Sequence, residues 1–169
     1  GSGWWIGTAV LKAAARADDG RGPPTALLQK VLKQLDVPDA SALIDWAYDE
    51  KIATSDIASI APLAFVTAAE GDAVADRIVD EAAAELALSI DTVAWNLGFE
   101  PGLPLPIVAA GGVLCNCEDI RRRVLGKLSN QFDRTSANII VPICFFPTCI
   151  LSRRAFTMAL VMTIFPHFS

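Results

Sequence analysis

The apolar side chains of the first hundred residues recur every three or four positions, which is the period of an α-helix. This pattern predicts five helices, over residues 4–17, 27–35, 41–49, 55–69 and 72–97. Glycine and proline separate these segments, most densely at residues 20–24, where Gly-Arg-Gly-Pro-Pro cannot continue a helix. Thr25 is placed to cap the second helix, and Gly98 to end the fifth.

The periodicity changes after residue 100. Residues 105–110 form a short apolar run with β-branched Ile107 and Val108, which predicts a buried strand. Gly111 and Gly112 follow, and then a sixth helix over about residues 118–128. A strand, a glycine pair and a helix recur in nucleotide-binding units. A lone strand leaves backbone groups unpaired at both edges, and the sequence offers no obvious partner. We therefore expect a piece of a larger sheet.

Composition divides the chain near residue 114. The 169 residues suit one domain, and the net charge of −5 argues against general nucleic-acid binding. Residues 1–114 carry 7 Lys and Arg against 16 Asp and Glu, whereas residues 115–169 carry 7 against 3. All four Cys, both Met and the only His lie in the second part. Such a shift indicates a domain boundary, a changed reading frame or a different exon.

Five strings occur in order along the chain: GSGWWIG at 1–7, DGRGPPT at 19–25, IASIAPL at 57–63, AAEGD at 68–72 and PIVAAGGVL at 106–114. Together they resemble the BadF/BadG/BcrA/BcrD ATPase family, and within it the N-acetylglucosamine kinases. The resemblance implies a place in the sugar-kinase, heat-shock-protein and actin superfamily, whose members bind ATP and Mg²⁺ between two RNase H-like lobes. It covers residues 1–132 only.

The resemblance therefore implies a fold that is mainly α with a remnant strand, the truncated C-terminal lobe of an α/β RNase H-like protein. The family's phosphate-binding loops and its catalytic Asp lie upstream of Gly1, so no catalytic residue is assigned here. Nucleotide contacts fall on four positions, Gly111, Gly112, Asn116 and Thr67. Gly1 and Ser2 would border the sugar pocket. ATP and Mg²⁺ belong to the intact parent enzyme.

Three other features have structural interpretations beside functional ones. The acidic residues Asp80, Glu81 and Glu85 are typical of a solvated helix face, which we favour over acid–base work. Asp18 and Asp19 beside Arg21 could contact a cation, but we favour a loop ion pair or a helix ending. Trp4 and Trp5 fit a sugar pocket and a helix core equally well.

Residues 133–169 form a hydrophobic tail rich in Cys and Phe that departs from the family pattern. Its longest uninterrupted apolar run, 139–151, is too short to span a membrane, for which about 20 residues are needed. A non-native tail from altered splicing is favoured over interfacial membrane association. The Cys spacings fit no common zinc pattern and predict reduced thiols in a cytoplasmic protein.

The sequence thus predicts a fragment of an ATP-dependent N-acetylglucosamine kinase, which transfers the γ-phosphate of ATP to a sugar hydroxyl and is inactive without the missing lobe. The expected partner is N-acetylglucosamine or a similar amino sugar, with no nucleic acid, no spanning segment and a homodimeric parent. The alternative is a non-catalytic helical interaction module or a truncated splice product.

Overall fold

The computed structural model describes residues 1–100 and 107–128, together with the backbone of two short strands at 139–140 and 160–161. Its helices are α1 Gly3–Asp18, α2 Leu27–Leu35, α3 Ala40–Ala47, α4 Thr54–Ala58, α5 Pro62–Ala69, α6 Ala73–Asn96, α7 Gly112–Asn116 and α8 Glu118–Lys127. Its strands are β1 Ile107–Val108, β2 Ile139–Ile140 and β3 Leu160–Val161. The mainly helical prediction is confirmed.

The chain forms two compact units, Gly1–Ala83 and Ala84–Ser169, and the division falls inside α6. In the first unit α1 is the central helix and packs against α2, α3, α4 and α5. Its buried stripe consists of Ile6, Gly7, Val10 and Ala14 at helical spacing.

The contact between α1 and α4 is close because α1 carries a glycine where the helices meet. A Cβ built on Gly7 would lie 2.0 Å from the carbonyl oxygen of Ile57, well inside van der Waals contact. Any side chain at this position would push the backbone of α4 away. Gly7 is therefore required by packing.

The helix predicted over residues 55–69 is wrong as a single element. The structure breaks it into α4 and α5 at residues 59–61, where the hydrogen bonds shift to three-residue spacing, as in Ile60 N–H to Ile57 O at 3.2 Å. The physical reason is Pro62, which has no N–H to continue the helix and stands at the start of α5. The Ser59 hydroxyl donates to the Asp56 carbonyl at 2.6 Å and supports the break.

The third predicted helix is present. Its apolar residues Leu43, Ile44 and Trp46 are the core candidates by sequence, and the prediction for Ile44 is wrong. Leu43 is 2% exposed, whereas Ile44 is 49% exposed and Trp46 is half-buried. The helix also begins at Ala40, one residue early, because the Asp39 side chain caps it by accepting the N–H of Ala42 at 2.9 Å.

The long helix ends where the sequence predicts. Gly98 adopts φ +72°, a left-handed conformation that suits glycine at a helix terminus. The N–H of Phe99 then donates to the carbonyl of Ala94 at 3.1 Å, which satisfies one of the last helical acceptors.

In the second unit β1 is the middle strand of a parallel sheet ordered β2-β1-β3. Ile107 is paired with Ile139 on one side and with Leu160 on the other. The expectation that the chain supplies no partner for this strand is therefore wrong. Each strand has two residues, so the sheet is short, but it pairs β1 on both edges. Other predictions for 101–106 and for the tail lie outside the described residues.

No single helix in the described ranges is long and apolar enough to cross a membrane, although Thr54–Ala69 and Ala73–Asn96, bent by 119°, pass that test together on length and composition.

Candidate functional site

The predicted nucleotide-contacting glycines lie on a sharp turn between β1 and α7. The chain leaves β1, passes Ala109 and Ala110, and reverses at Gly111, whose φ is +88°. The carbonyl of Gly111 accepts the N–H of Cys115 at 2.9 Å and so opens α7. A residue with a Cβ is strained at this φ, so Gly111 is set by backbone conformation.

Gly112, by contrast, is not required by the turn. Its φ lies outside the positive region, and both glycines are exposed. Among the described residues, a Cβ on Gly112 would approach one group within 4 Å, the Asn116 side-chain nitrogen at 4.0 Å. The local fold therefore leaves room for a side chain at position 112, although the residue there is glycine.

Asn116 lies directly across from this opening at the end of α7. Its Nδ2 donates to the carbonyl of Gly112 at 2.9 Å, and its side chain is exposed. Gly111, Gly112 and Asn116 are thus brought together on one exposed turn, as the sequence predicts.

Hydrogen bonds from α8 hold the turn in place. The guanidinium of Arg121 donates to the carbonyl oxygens of Leu114 at 2.5 Å and Cys115 at 3.1 Å, at the end of α7 where helical acceptors have no internal partner. Asp119 is bound by Arg122 and Arg123. The hydrogen bond from Arg122 is the main reason that the pKa of Asp119 is lowered, because it favours the carboxylate. The Arg121 bonds fix α8 against α7, and the Asp119 bonds lie within α8.

Thr67, the fourth predicted nucleotide contact, belongs to the first unit and has no exposed surface. Its hydroxyl oxygen is buried and has no hydrogen-bond partner among the described residues. The role of Thr67 therefore stays a prediction.

The two residues predicted to border a sugar, Gly1 and Ser2, are half-buried at the start of α1. Ser2 has a structural duty there, since its Oγ accepts the N–H of Trp5 at 3.2 Å and caps the helix. A sugar contact by either residue stays a prediction.

A polar junction that the sequence did not reveal links two helices of the first unit. Asp72 precedes α6, and its Oδ1 accepts the N–H groups of Val74 at 3.0 Å and Ala75 at 2.9 Å. Its Oδ2 accepts the N–H of Ala26 and the hydroxyl of Thr25, both at 2.8 Å. One carboxylate therefore caps α6 and also holds the first turn of α2.

Burial works against the charge of Asp72 and would raise its pKa. The four hydrogen bonds outweigh that effect and leave the pKa below its ordinary value of 3.8. The sequence signal for half of this junction was Gly71-Asp72 ahead of a long apolar period, which is an N-cap pattern. Its other half depends on the approach of α2, about 46 residues away, which no local pattern encodes. Thr25 lies one residue before the N-cap position, which is Ala26, but its Oγ1 accepts the N–H of Leu27 at 3.2 Å and so satisfies a donor at the start of α2.

The Asp19 prediction is confirmed as a loop ion pair. Its Oδ2 lies 2.5 Å from the Arg21 guanidinium, and its Oδ1 accepts the Arg21 backbone N–H at 3.0 Å. The side-chain hydrogen bond from Arg21 lowers the pKa of Asp19. Of the acidic residues on α6, Glu81 and Glu85 are exposed and Asp80 is half-buried, as on a largely solvated face.

Within residues 1–100 and 107–128, no three His, Cys, Asp or Glu side chains lie close enough together to hold a metal ion. Cys115 and Cys117 are free thiols. Cys144, Cys149 and His167 lie outside the described residues.

Comparisons with known proteins place the turn in context. The N-acetyl-D-glucosamine kinase of Dictyostelium discoideum is 37% identical over 113 residues, which is 66% of this chain and 35% of that protein. The N-acetylmuramic acid/N-acetylglucosamine kinase of Clostridium acetobutylicum is 34% identical over 116 residues, which is 69% of this chain and 38% of that protein. The chain thus spans little more than a third of the length of these relatives.

The profile of one protein family matches residues 1–142, which is most of the chain and includes both the first unit and the glycine turn. The resemblance seen in the five sequence strings is confirmed by this match and by the two kinases. The chain belongs to the BadF/BadG/BcrA/BcrD ATPase family.

Proposed function

We propose that this chain supplies the adenosine-binding part of an ATP-dependent kinase that phosphorylates a hydroxyl of N-acetylglucosamine or a similar amino sugar. Two kinds of finding support the proposal. The family is an ATPase family, and the two relatives are kinases whose names state amino-sugar substrates. Because the chain covers 35% and 38% of those relatives, the activity of the whole enzyme belongs to the proposal.

The observation that carries the proposal is Gly112. Neither its backbone conformation nor its neighbours demand glycine, and the space above it is open. An absent side chain in such a place permits a ligand to approach the backbone closely. We assign this space to the adenosine of ATP, with Gly111 making the turn and Asn116 offering an amide at its rim.

The described residues fit ATP at the adenosine end only. Phosphoryl transfer requires a metal to neutralise phosphate charge and a base to accept the proton of the sugar hydroxyl. The described residues contain no cluster of three metal ligands, and none is assigned as that base. We therefore expect the chain alone to lack kinase turnover.

The proposal has a wider part that follows the family resemblance. The parent would be a cytoplasmic, two-lobed RNase H-like enzyme that binds ATP with Mg²⁺ and forms a homodimer. The domain portion would end near residue 132, with 133–169 as a divergent tail.

The nucleotide site is tested by calorimetric titration of the 169-residue chain with ATP, ADP and GTP. We expect ATP and ADP to bind with similar affinity, because the adenosine provides the contact, and GTP to bind more weakly. Gly112→Val should weaken ATP binding at least tenfold while circular dichroism and thermal unfolding stay close to those of the original chain. The matched control is Gly126→Val on α8, where a Cβ also has nothing within 4 Å.

Inactivity is tested separately by a coupled assay with ATP, Mg²⁺ and N-acetylglucosamine. We expect no turnover above the rate without protein. Turnover that depends on the chain would contradict the requirement for the missing lobe. Failure of ATP, ADP and GTP alike to bind at millimolar concentration would contradict the adenosine site and favour the non-catalytic alternative.

A further inference from the structure

The first unit contains a cavity of about 590 Å³ that the proposed function does not use. One wall is a face of α1 running from Trp5 through Lys12 to Arg16. The opposite wall is the start of α6, and residues 21–23 of the loop after α1 contribute the rest. None of the predicted nucleotide contacts lines it, nor does Gly1 or Ser2, whereas Trp4 and Trp5, which fit a sugar pocket or a helix core by sequence, both do. Its volume lies in the range of small-molecule sites.

Basic residues are concentrated at this cavity. Residues 1–83 contain 7 Lys and Arg against 13 Asp and Glu, yet four of those seven cations line it: Lys12, Arg16, Arg21 and Arg77. Glu81 supplies the carboxylate among the lining residues. An acidic unit that places most of its positive charge in one cavity creates a local field that attracts anions.

Ion pairing accounts for only part of this charge. Arg21 is bound by Asp19, and the Nε of Arg77 lies 3.8 Å from Glu81 in an exposed pair of small energetic value. Lys12 and Arg16 form no contact ion pair among the described residues, although Asp19 interacts electrostatically with Arg16 over a longer distance. Two positive charges therefore remain at one end of the α1 wall, one helical turn apart.

The loop that closes the cavity is fixed in place. The N–H of Gly22 donates to the carbonyl of Arg16 at 2.8 Å, and a Cβ on Gly22 would lie 3.1 Å from the Cβ of Arg16. The loop therefore packs directly on α1 at this point. Asp19 holds Arg21 through both its backbone N–H and its guanidinium. Contacts within the chain thus set the position of this loop and of Arg21 against α1.

The remaining lining residues offer aromatic surface and one unused hydroxyl. Trp4 and Trp5 contribute indole rings, and Trp4 is 44% exposed. The Oγ1 of Thr8 is buried and has no hydrogen-bond partner among the described residues. A buried hydroxyl in this state is uncommon in proteins and is satisfied when a ligand or water binds beside it.

We infer that this cavity binds a sugar phosphate. The phosphate group would be held by Lys12 and Arg16 with Arg21 and Arg77 around it, since guanidinium groups match phosphate oxygens in geometry and charge. The sugar ring would pack its C–H face on the tryptophans and offer a hydroxyl to Thr8. This site is separate from the glycine turn and does not depend on the proposed kinase activity.

The test is calorimetry on the full chain in a phosphate-free buffer at low salt, with glucose 6-phosphate, glucose and inorganic phosphate as probes. We expect glucose 6-phosphate to bind, inorganic phosphate to bind at least tenfold more weakly, and glucose to give no signal. Arg16→Gln and Lys12→Gln should each weaken glucose 6-phosphate binding about tenfold or more. Lys33→Gln, which removes an exposed charge from α2, should leave it unchanged.

Three results would overturn the inference. The first is no binding of glucose 6-phosphate at millimolar concentration to a chain whose unfolding transition is intact. The second is equal weakening by Lys33→Gln and Arg16→Gln, or equal binding of inorganic phosphate, which would indicate general charge attraction. The third is loss of glucose 6-phosphate binding in Gly112→Val, which would mean that the probe occupies the glycine turn.

Discussion

Two glycines, one in each compact unit, differ in the space that their surroundings leave for a side chain. Gly7 lies in the core of the first unit, where a Cβ would meet the Ile57 carbonyl oxygen at 2.0 Å. Gly112 lies on an exposed turn of the second unit, where the only described group near a Cβ would be the tip of Asn116, at 4.0 Å. The first position is filled by the protein itself, and the second is left open.

This difference separates stability from function. Replacement of Gly7 must disturb the fold, whatever the protein binds. Replacement of Gly112 has almost no structural reason to disturb the fold, so an effect there reports on a ligand. The ligand that we propose for Gly112 is ATP, because the chain belongs to an ATPase family.

The largest effect is expected for Gly7→Ala. The added methyl group meets the backbone of α4, which cannot turn aside as a flexible side chain would, so α1 and α4 must separate. We expect a loss of about 3 kcal/mol in the free energy of unfolding, the upper part of the range for overpacked cores. Urea unfolding followed by circular dichroism measures it.

The control for that variant is Gly126→Ala. This glycine lies in α8 with nothing within 4 Å of a Cβ, and alanine favours helix. We expect a gain of about 0.5–1 kcal/mol. A loss for Gly7→Ala no larger than about 0.5 kcal/mol would contradict the close α1–α4 contact.

The next effect concerns the junction at Asp72. Asp72→Ala removes the acceptor for three backbone N–H groups and one hydroxyl, and we expect a loss of about 2 kcal/mol. Asp72→Asn keeps one oxygen as an acceptor and should lose about half as much. Equal unfolding free energies for Asp72→Ala and Asp72→Asn would contradict this, because they would mean that the oxygen retained in Asn contributes nothing.

The same carboxylate should make stability depend on pH. Its pKa is lowered in the folded chain, so its stabilisation is complete above the ordinary value of 3.8 and is lost as the pH falls below it, towards the folded pKa. The difference in unfolding free energy between the original chain and Asp72→Asn should therefore shrink from pH 6 to pH 3.

Asp19 and Asp119 also have lowered pKa values. The original chain and Asp72→Asn both retain these residues, so their contributions cancel in the difference in unfolding free energy. A difference that stays constant between pH 6 and pH 3 would mean that Asp72 does not titrate with unfolding in this range.

Sequence reasoning succeeded where a local cause decides the structure. The α1 and α6 periods, the hydrogen bond of Thr25 at the start of α2 and the stop at Gly98 each depend on residues within one or two turns. The break at Pro62 was also local, and it was missed because apolar residues continue at helical spacing across it. Proline should have outweighed that spacing.

The remaining errors have non-local causes. Ile44 has the right period for the core but lies on an exposed side of α3, and periodicity does not determine which side is buried. The strands that pair with β1 are β2 and β3, which lie after residue 132. The composition of that part of the chain did not predict strands. Asp72 reaches α2 across 46 positions. The fold of the helical part was thus largely predictable, whereas its tertiary junctions were not.

The smallest effect on stability, and the most informative on function, is expected at Gly112. Gly112→Ala and Gly112→Val should each change the free energy of unfolding by less than about 1 kcal/mol, since the fold leaves space for the side chain. Thermal unfolding of both variants beside the original chain checks this. A loss above about 2 kcal/mol would mean that the fold itself requires glycine here.

The decisive measurement is the dissociation constant of ATP for the original chain and for Gly112→Val at matched stability. If adenosine packs against Gly112, the dissociation constant of ATP should increase at least tenfold in Gly112→Val and should not change in Gly126→Val. Equal dissociation constants for all three proteins would contradict a nucleotide site at this turn.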